Sequence, residues 1–209
     1  MQAYYAARAN EYDRIYAKPE RQGDLRQIEA WLPTVFDGRR VLEIACGTGY
    51  WTQFYAPVAR AALGIDSAQE TLDIARARLP ASVSLQKGDA YDLASVEGTF
   101  DAAFAGFWWS HIPRQRVPEF LEGLHAQLSP GAQVVFLDNR FVPGSSSPIA
   151  ERDAEGNTFQ VRTLQDGSSH RVLKNFPSRE ELLAALKPYV AQCDYREWPY
   201  FWALRYTLK

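Results

Sequence analysis

Three apolar runs in the first half of the chain lead into glycines or acidic residues, the groups that bind polar ligands. The stretch VLEIACGTGYWT (residues 41–52) contains Glu43 within the run and then Gly47 and Gly49. Asp66 ends AALGID, and Asp89 follows the next run within GDA. Glycine permits a sharp turn and a close approach of a ligand to the backbone, while carboxylates accept hydrogen bonds from hydroxyl and amino groups. These residues predict a nucleotide-like ligand site.

The spacing of these residues restricts the kind of nucleotide. A dinucleotide site would have Gly or Ala three residues after Gly49, where Thr52 stands, and the sequence has no Walker-type Gly-Lys-Ser/Thr ending. Asp66 lies about twenty residues after the turn, where an acid accepts both ribose hydroxyls. Asp89 can accept an adenine amino hydrogen, and the Ala90 N–H can donate to a ring nitrogen. Glu43 can orient an ammonium group or brace the turn.

The N-terminal segment carries aromatic and basic residues at helical spacing. Tyr5, Arg8 and Tyr12 share one face of a predicted helix. One interpretation is a packing stripe with a surface arginine. The functional interpretation is that the helix covers the cofactor, with phenol and guanidinium groups reaching its carboxylate or the acceptor.

The stretch FWWSHIP follows the fourth predicted strand, at the carboxyl edge where open α/β sheets bind ligands. Phe107, Trp108 and His111 are expected to wall off the reacting centre, although core packing would also explain the tryptophans. His111 is the candidate catalytic residue, either as a base or as a group that orients the acceptor.

Two cations flank a predicted hairpin turn at Asp166-Gly167. Counting outward from that turn places Arg162 and Lys174 close to a cross-strand pair. Like charges directly across a hairpin repel one another, and a shared anionic ligand would relieve the repulsion. The alternative is two solvated charges. We therefore predict that Arg162 and Lys174 bind an acidic acceptor.

Elements that position these residues alternate between strand and helix. Five strands, in 41–46, 61–66, 82–89, 99–109 and 132–138, alternate with helices and so imply a parallel sheet. Helices are also predicted over 2–16 and 20–32. Ser67 and Glu70 predict a capping box, as do Ser178 and Glu181. Two final strands meet near Trp198-Pro199. The predicted fold is an α/β, open, seven-stranded, mostly parallel sheet with an antiparallel C-terminal pair and an inserted hairpin after the fifth strand.

Composition excludes several classes of protein. The 209 residues suit one domain, 1–209, with N-terminal cap helices at about 1–33 and the hairpin at about 157–176. A formal net charge of −2 without a basic run argues against a nucleic-acid partner. Cys46 and Cys193 have no metal-ligand or disulfide spacing, so we predict no metal. The sequence has no apolar run of ~20 residues and no signal peptide, which predicts a cytoplasmic protein without a membrane partner.

The pattern E-x-A-x-G-x-G, an acid after the second strand and G-D-A after the third resemble the class I S-adenosylmethionine (SAM)-dependent methyltransferases, which have a Rossmann-like fold. The matched positions are Glu43, Gly47, Gly49, Asp66, Asp89 and Ala90. A departure is Ala45, where many members of the family have another glycine. The resemblance covers nearly the whole chain and implies SAM as the cofactor.

A finer resemblance is to bacterial phosphonate O-methyltransferases. It rests on YYAARANEYD, EIACGTGYWT, FWWSHIP and RTLQDGSSHRVLKNF. The predicted cofactor-binding residues are Tyr5, Arg8, Glu43, Ala45, Gly47, Gly49, Trp51, Asp66, Ser67, Asp89, Ala90 and Phe107. The predicted substrate-binding residues are Tyr12, Trp108, His111, Arg162 and Lys174.

These residues predict transfer of a methyl group from SAM to an oxygen of a small acidic molecule, a phosphonate or a carboxylate. The alternatives are a methyltransferase for a neutral phenol or an amine, and a binding module that holds the cofactor without turnover. The sequence determines neither the acceptor nor the oligomeric state.

Overall fold

The computed structural model describes residues 2–190 and 193–209 and contains a seven-stranded sheet beside a smaller three-stranded one. The large sheet has the order β3-β2-β1-β4-β5-β10-β9. Its strands are β1 Arg40–Ile44, β2 Ala61–Asp66, β3 Val83–Lys87, β4 Phe100–Gly106, β5 Leu128–Asn139, β9 Cys193–Glu197 and β10 Phe201–Thr207. Strands β1 to β5 pair in parallel, and β10 is antiparallel to β5 and β9. The predicted fold class is confirmed.

Helices cover both faces of the large sheet. They are α1 Gln2–Arg8, α2 Gln22–Phe36, α3 Thr52–Tyr55, α4 Gln69–Arg78, α5 Val117–His125 and α6 Arg179–Leu186. Short 3₁₀ helices span Ala9–Ala17, Pro19–Arg21, Trp109–His111 and Arg114–Arg116. The N-terminal region is therefore helical as predicted, but its second half is 3₁₀ rather than α. No helix among the described residues is long and apolar enough to cross a membrane.

The strands are apolar because both faces of the sheet are covered. Successive side chains along each central strand point to opposite faces of the sheet. Those on one face pack in the core beneath α5 and α6, and those on the other pack in the core beneath α2. Leu42, Ala103 and Phe136 belong to the first core, and Val41 and Phe104 to the second. This double burial holds the carboxyl ends of β1, β2, β4 and β5 at one edge.

The predicted hairpin is part of a three-stranded antiparallel sheet, β6 Glu151–Arg152, β7 Thr158–Thr163 and β8 Ser169–Leu173. Its register differs from the prediction, because Arg162 pairs with His170. Lys174 follows β8, and its N–H donates to the Thr158 carbonyl. The near-pairing of Arg162 with Lys174 was therefore wrong, since Lys174 lies opposite Thr158, four residues further from the turn than the partner of Arg162.

The N-terminal segment and the inserted sheet form a roof over the carboxyl edge. Tyr4 of α1 is buried against Leu164 and Val172 of the insert. Further along, Lys18 and Arg21 contact the loop after β5 at Ser145. Two cavities lie beneath this roof, one on each side of His111.

Candidate active site

The turn after β1 bends through backbone conformations that favour glycine. Ala45, Gly47 and Gly49 have φ of 54°, 56° and 72°. Gly49 also lies against α4, where an added Cβ would come within 2.8 Å of Leu79. The two glycines are thus required by geometry. Ala45 is held in a conformation costly for an L-residue, a kind of strain that concentrates at functional sites.

The Asp66 carboxylate joins this turn to the second strand. Its Oδ2 accepts a hydrogen bond from the Gly47 N–H at 2.9 Å, and its Oδ1 accepts from the Ala68 N–H at 2.9 Å. Thr71 donates its hydroxyl to the same Oδ1. The N-cap position of α4 is Ala68, which has no side-chain capping hydrogen bond, so the predicted Ser67–Glu70 capping box is wrong. Burial raises the pKa of Asp66, and these hydrogen bonds oppose the rise.

A first cavity of about 90 Å³ lies above the turn, between β1, β2 and β4. Eight of the predicted cofactor residues line it: Tyr5, Ala45, Gly47, Asp66, Ser67, Asp89, Ala90 and Phe107. Asp89 is exposed at the cavity, and its Oδ1 accepts from the Tyr91 N–H. Trp108 and His111, predicted to bind substrate, line the same cavity. Of the acids and glycines with which the sequence argument began, Gly47, Asp66 and Asp89 therefore line one cavity.

Four predicted cofactor residues lie outside this lining. Arg8 faces the second cavity, Gly49 packs on α4, and Trp51 packs on β4 against Gly106. Glu43 is 1% exposed, and its Oε2 accepts hydrogen bonds from Thr52 and Tyr55. Glu43 therefore holds the segment that follows the turn. This contact corresponds to the second of its two predicted roles, which was to brace the turn.

Glu43 gives the fold a dependence on pH. Burial raises the pKa of its carboxyl to about 7, so the native protein keeps a proton there that the unfolded chain has already released. Stability is consequently lost as pH rises from the unfolded value near 4.5 through 7. We compare the free energy of unfolding of Glu43→Gln with that of wild type by urea unfolding. This difference should shift in favour of the variant by about 3 kcal/mol as pH rises from 5 to 8. The exposed Glu70→Gln is the control. Parallel stability curves for wild type and Glu43→Gln would contradict this expectation.

A charged cluster fastens the N-terminal segment to the glycine turn. Asp13 accepts a hydrogen bond from Thr48 at 2.6 Å and pairs with Arg78 of α4. Arg78 also donates to the Thr48 carbonyl at 2.9 Å. The segment Ala9–Ala17 is thereby held over the first cavity, which agrees with its predicted covering role.

A second cavity, of about 340 Å³, opens on the other side of His111 beneath the inserted sheet. We call it the acceptor cavity. Tyr5, Tyr12, Phe107 and His111 line both cavities and form the boundary between them. Arg162 and Lys174 line only the acceptor cavity. A group transferred from a ligand in one cavity to a ligand in the other would have to pass these boundary residues.

His111 is held in one protonation state. Its Nδ1 lies 2.6 Å from the Leu173 carbonyl, which can only accept, so Nδ1 carries the hydrogen. Its Nε2 then accepts from the Tyr5 hydroxyl at 2.8 Å. Burial, with the nearby charges of Lys174 and Arg162, holds the pKa of His111 well below 6.5. The imidazole is therefore neutral and weakly basic, which favours a positioning role over that of a strong base.

Arg162 is a half-buried cation in the lining of this cavity. Its guanidinium donates to Gln160 Oε1 at 2.8 Å, and Gln160 in turn donates to the Ser147 carbonyl. Among the residues that the structure describes, no carboxylate forms an ion pair with Arg162. A half-buried guanidinium without an anion is unfavourable unless a ligand supplies one.

Lys174 differs from Arg162 because it already has an anionic partner. Its Nζ lies 2.9 Å from Asp138 Oδ1 at the end of β5 and 2.5 Å from the Ser110 hydroxyl. Asp138 Oδ2 accepts from the Ser110 N–H in the 3₁₀ helix that carries His111. Although burial opposes it, the Lys174 ammonium holds the pKa of Asp138 low. Lys174, which the sequence predicted to bind an acidic acceptor, is thus already paired with Asp138 in a buried ion pair.

Several residues in or beside the two cavities escaped the sequence argument. Asp138 ends the fifth apolar run as Asp66 ends the second, so the same signal would have found it. Lys18, Arg21 and Gln160 carried no local signal, because they reach the acceptor cavity from separate elements. No group of three His, Cys, Asp or Glu side chains within residues 2–190 and 193–209 is placed to hold a metal ion.

Comparison with known proteins finds methyltransferases that are similar to part of this chain. The model of a methyltransferase domain matches residues 41–131. The 2-phytyl-1,4-naphtoquinone methyltransferase of Synechococcus elongatus is 37% identical over 109 residues, which are 48% of this chain and 46% of that protein. A demethylmenaquinone methyltransferase of Symbiobacterium thermophilum is 31% identical over 48% of this chain and 43% of its own. The chain spans about half the length of these curated relatives.

Solved structures match over the whole chain, including the inserted sheet. The DhpI–SAM–HEP complex superposes with a TM-score of 0.80 at 29% identity and covers 97% of this chain and 94% of that one. The DhpI complex with S-adenosylhomocysteine (SAH) has a TM-score of 0.79 at 29% identity, with 98% and 93% covered. The family model ends at residue 131, before the inserted sheet, whereas these two structures cover nearly the whole chain.

Proposed function

We propose, from the premise that this chain carries a class I SAM-dependent methyltransferase domain with SAM as its cofactor, that it methylates an ionised oxygen of a small acidic molecule. Bound SAM supplies an electrophilic methyl group on a sulfonium. The acceptor oxygen forms a bond to that carbon as the carbon–sulfur bond breaks, which leaves SAH. The finer resemblance to phosphonate O-methyltransferases supports a phosphonate or a carboxylate.

The first cavity fits the cofactor by its chemistry. Asp66 places a carboxylate where ribose hydroxyls can donate to it, and Asp89 with the Ala90 N–H offers an acceptor and a donor to an adenine edge. Gly47, which has a positive φ and no side chain, leaves the backbone of the turn open to the cavity. Tyr5 and Phe107 separate this site from the acceptor cavity.

The observation that carries the acidic acceptor is Arg162, a guanidinium without a carboxylate partner that lines the cavity next to His111. Arginine presents a planar fork to two oxygens of an acid. Arg8, predicted for the cofactor, also lines this cavity and lies over the Tyr12 ring at 5.3 Å. We assign Arg8 to the acceptor as well.

Catalysis by this site requires alignment rather than proton removal. An ionised acid oxygen is already a nucleophile, so the weakly basic His111 and the Tyr5 hydroxyl need only orient it. Positioning alone can supply ~7–11 kcal/mol of the barrier. The roof of α1 and the inserted sheet excludes water, which strengthens the contacts of the anion with Arg162.

The alternatives fit the cavity less well. An amine acceptor would be repelled by the cations that line it, and a phenol would need a stronger base than His111. A module that only binds the cofactor has no use for a cavity of about 340 Å³ beside it. The quinone specificity of the curated relatives concerns proteins that match about half of this chain.

Formation of SAH tests the proposal directly. The protein is incubated with SAM and, in turn, with alkylphosphonates, carboxylates, phenols, quinols and amines, and SAH is quantified. We expect turnover with the acids, and mass spectrometry should locate the new methyl group on an acid oxygen. Turnover confined to phenols, quinols or amines would overturn the acidic-acceptor proposal and leave the methyltransferase domain assignment intact.

Asp66→Ala is expected to weaken cofactor binding by about 1.5–3 kcal/mol, because a charged acceptor for hydroxyl hydrogens is lost. The substitution also removes the acceptor of the Gly47 and Ala68 N–H groups, so circular dichroism must show that the fold persists. Calorimetry with SAH measures the effect. Asp73→Ala, an exposed position on α4, is the control. An unchanged dissociation constant for SAH would remove Asp66 from the site.

A further inference from the structure

We propose that the acceptor carries a second anionic group, which binds at the far end of the acceptor cavity beside Lys18 and Arg21. This inference rests on the proposed function, because it takes the first acid group to be methylated near Arg162. The ligand class is a bifunctional acid whose two charged groups are separated by a short chain.

Three cations follow one another along the cavity. Arg162, Lys174 and Arg21 all line it, as does His111. Burial lowers the pKa of the Lys174 ammonium, and the nearby charges of Arg162 and Arg21 lower it further. Asp138 compensates only the middle member of the row. Two positive centres therefore remain, one at each side of the neutralised Lys174.

The far end is formed by the N-terminal cap and the loop after β5. Arg21 is 6% exposed and donates to Asn139 Oδ1 at 2.9 Å and to the Ser145 hydroxyl at 2.9 Å. Lys18 Nζ donates to the Ser145 carbonyl at 2.6 Å, which leaves two of its three hydrogens for a ligand. Ser146 and Ser147 line the cavity beside them.

The acids near this end are already engaged. Glu20 is exposed and accepts from the Ser145 hydroxyl, and Asp24 accepts from the Tyr200 N–H. Neither forms an ion pair with Lys18 or Arg21 in the part of the chain that the structure describes. Burial and the neighbouring Arg21 lower the pKa of the Lys18 ammonium, and the nearby Glu20 opposes this shift.

The size of the cavity favours a ligand that extends between the two ends. Its volume of about 340 Å³ falls in the range of pockets for drug-sized molecules, about 300–1,000 Å³. A single acid group would leave room for several water molecules at about 30 Å³ each. An acceptor with a second acid fills this space and compensates Lys18 and Arg21 as well as Arg162.

Matched acceptors test the inference. Ethylphosphonate is compared with phosphonoalkanoic acids that have two, three or four methylene groups between the phosphonate and a terminal carboxylate. We expect KM for the best of these diacids to be at least 10-fold below that of ethylphosphonate. In Lys18→Met that ratio should fall severalfold, because the second acid group then keeps only Arg21 as its cation. Lys187→Met, an exposed substitution, should preserve the ratio. Lys18 is preferred to Arg21, whose hydrogen bonds hold the loop.

The outcomes separate this inference from the proposed function. If ethylphosphonate and the diacids have equal KM values, or if the ratio persists in Lys18→Met, the second anion site is overturned and acid methylation stands. If no acid of either kind yields SAH while neutral acceptors do, both proposals fall. Calorimetry with the diacid and SAH should show the same loss of affinity in Lys18→Met.

Discussion

Replacing Arg162 with alanine is expected to raise KM for an acidic acceptor by about 30-fold to several thousand-fold, and to leave the affinity for SAH nearly unchanged. The expectation corresponds to the ~2–5 kcal/mol lost when one partner of a desolvated charge pair is truncated. Arg162 lines the acceptor cavity and not the first cavity, which is why the two ligands should respond differently.

Two further variants sharpen this experiment. Arg162→Lys keeps the charge but loses the fork that donates to two oxygens, so most of the KM effect should remain. Arg171→Ala is the matched control, because Arg171 lies on the adjacent strand, is exposed and pairs with Glu151 at 2.8 Å. Initial-rate kinetics with a short phosphonate and calorimetry with SAH give the two readouts. Normal turnover of an acid by Arg162→Ala would remove the main physical support for an acidic acceptor.

Replacing Lys174 with methionine is expected to lower the free energy of unfolding by about 3–5 kcal/mol at pH 8. The reason is not the loss of an attraction alone, because the change leaves Asp138 as a charge that is 0% exposed and without its cation. Asp138 also holds the Ser110 N–H, so the helix that carries His111 should lose order. Urea unfolding followed by tryptophan fluorescence measures the effect.

The pH dependence distinguishes this mechanism from a simple packing defect. Without Lys174, burial would raise the pKa of Asp138, and the deficit should shrink as pH falls and the carboxyl takes up a proton. The double variant Lys174→Met/Asp138→Asn should recover much of the loss at pH 8, and the exposed Lys187→Met should cost little. A deficit that is independent of pH and persists in the double variant would show that the charge on Asp138 is not its cause.

Local patterns in the sequence were sufficient to predict the fold and to place Gly47, Asp66 and Asp89 at one edge of the large sheet. Strand runs that end in Gly47, Asp66 and Asp89 place these residues at one edge, because parallel strands joined by right-handed crossovers must end together. The capping box at Ser178 and Glu181 was predicted for the same local reason and is present. Such features depend on residues a few positions apart, so spacing alone predicts them.

The acceptor side was decided by tertiary structure. A turn signal predicted the hairpin at Asp166-Gly167, but its register placed Arg162 opposite His170. Lys174 found its partner in Asp138, 36 residues away in the chain, and Arg21 reached Asn139 and Ser145 from the N-terminal cap. Which charges are paired and which await a ligand depends on desolvation and on distances between separate elements. Local spacing contains neither quantity, so the sequence predicted Arg162 and Lys174, and only the folded chain showed that Lys174 is paired with Asp138.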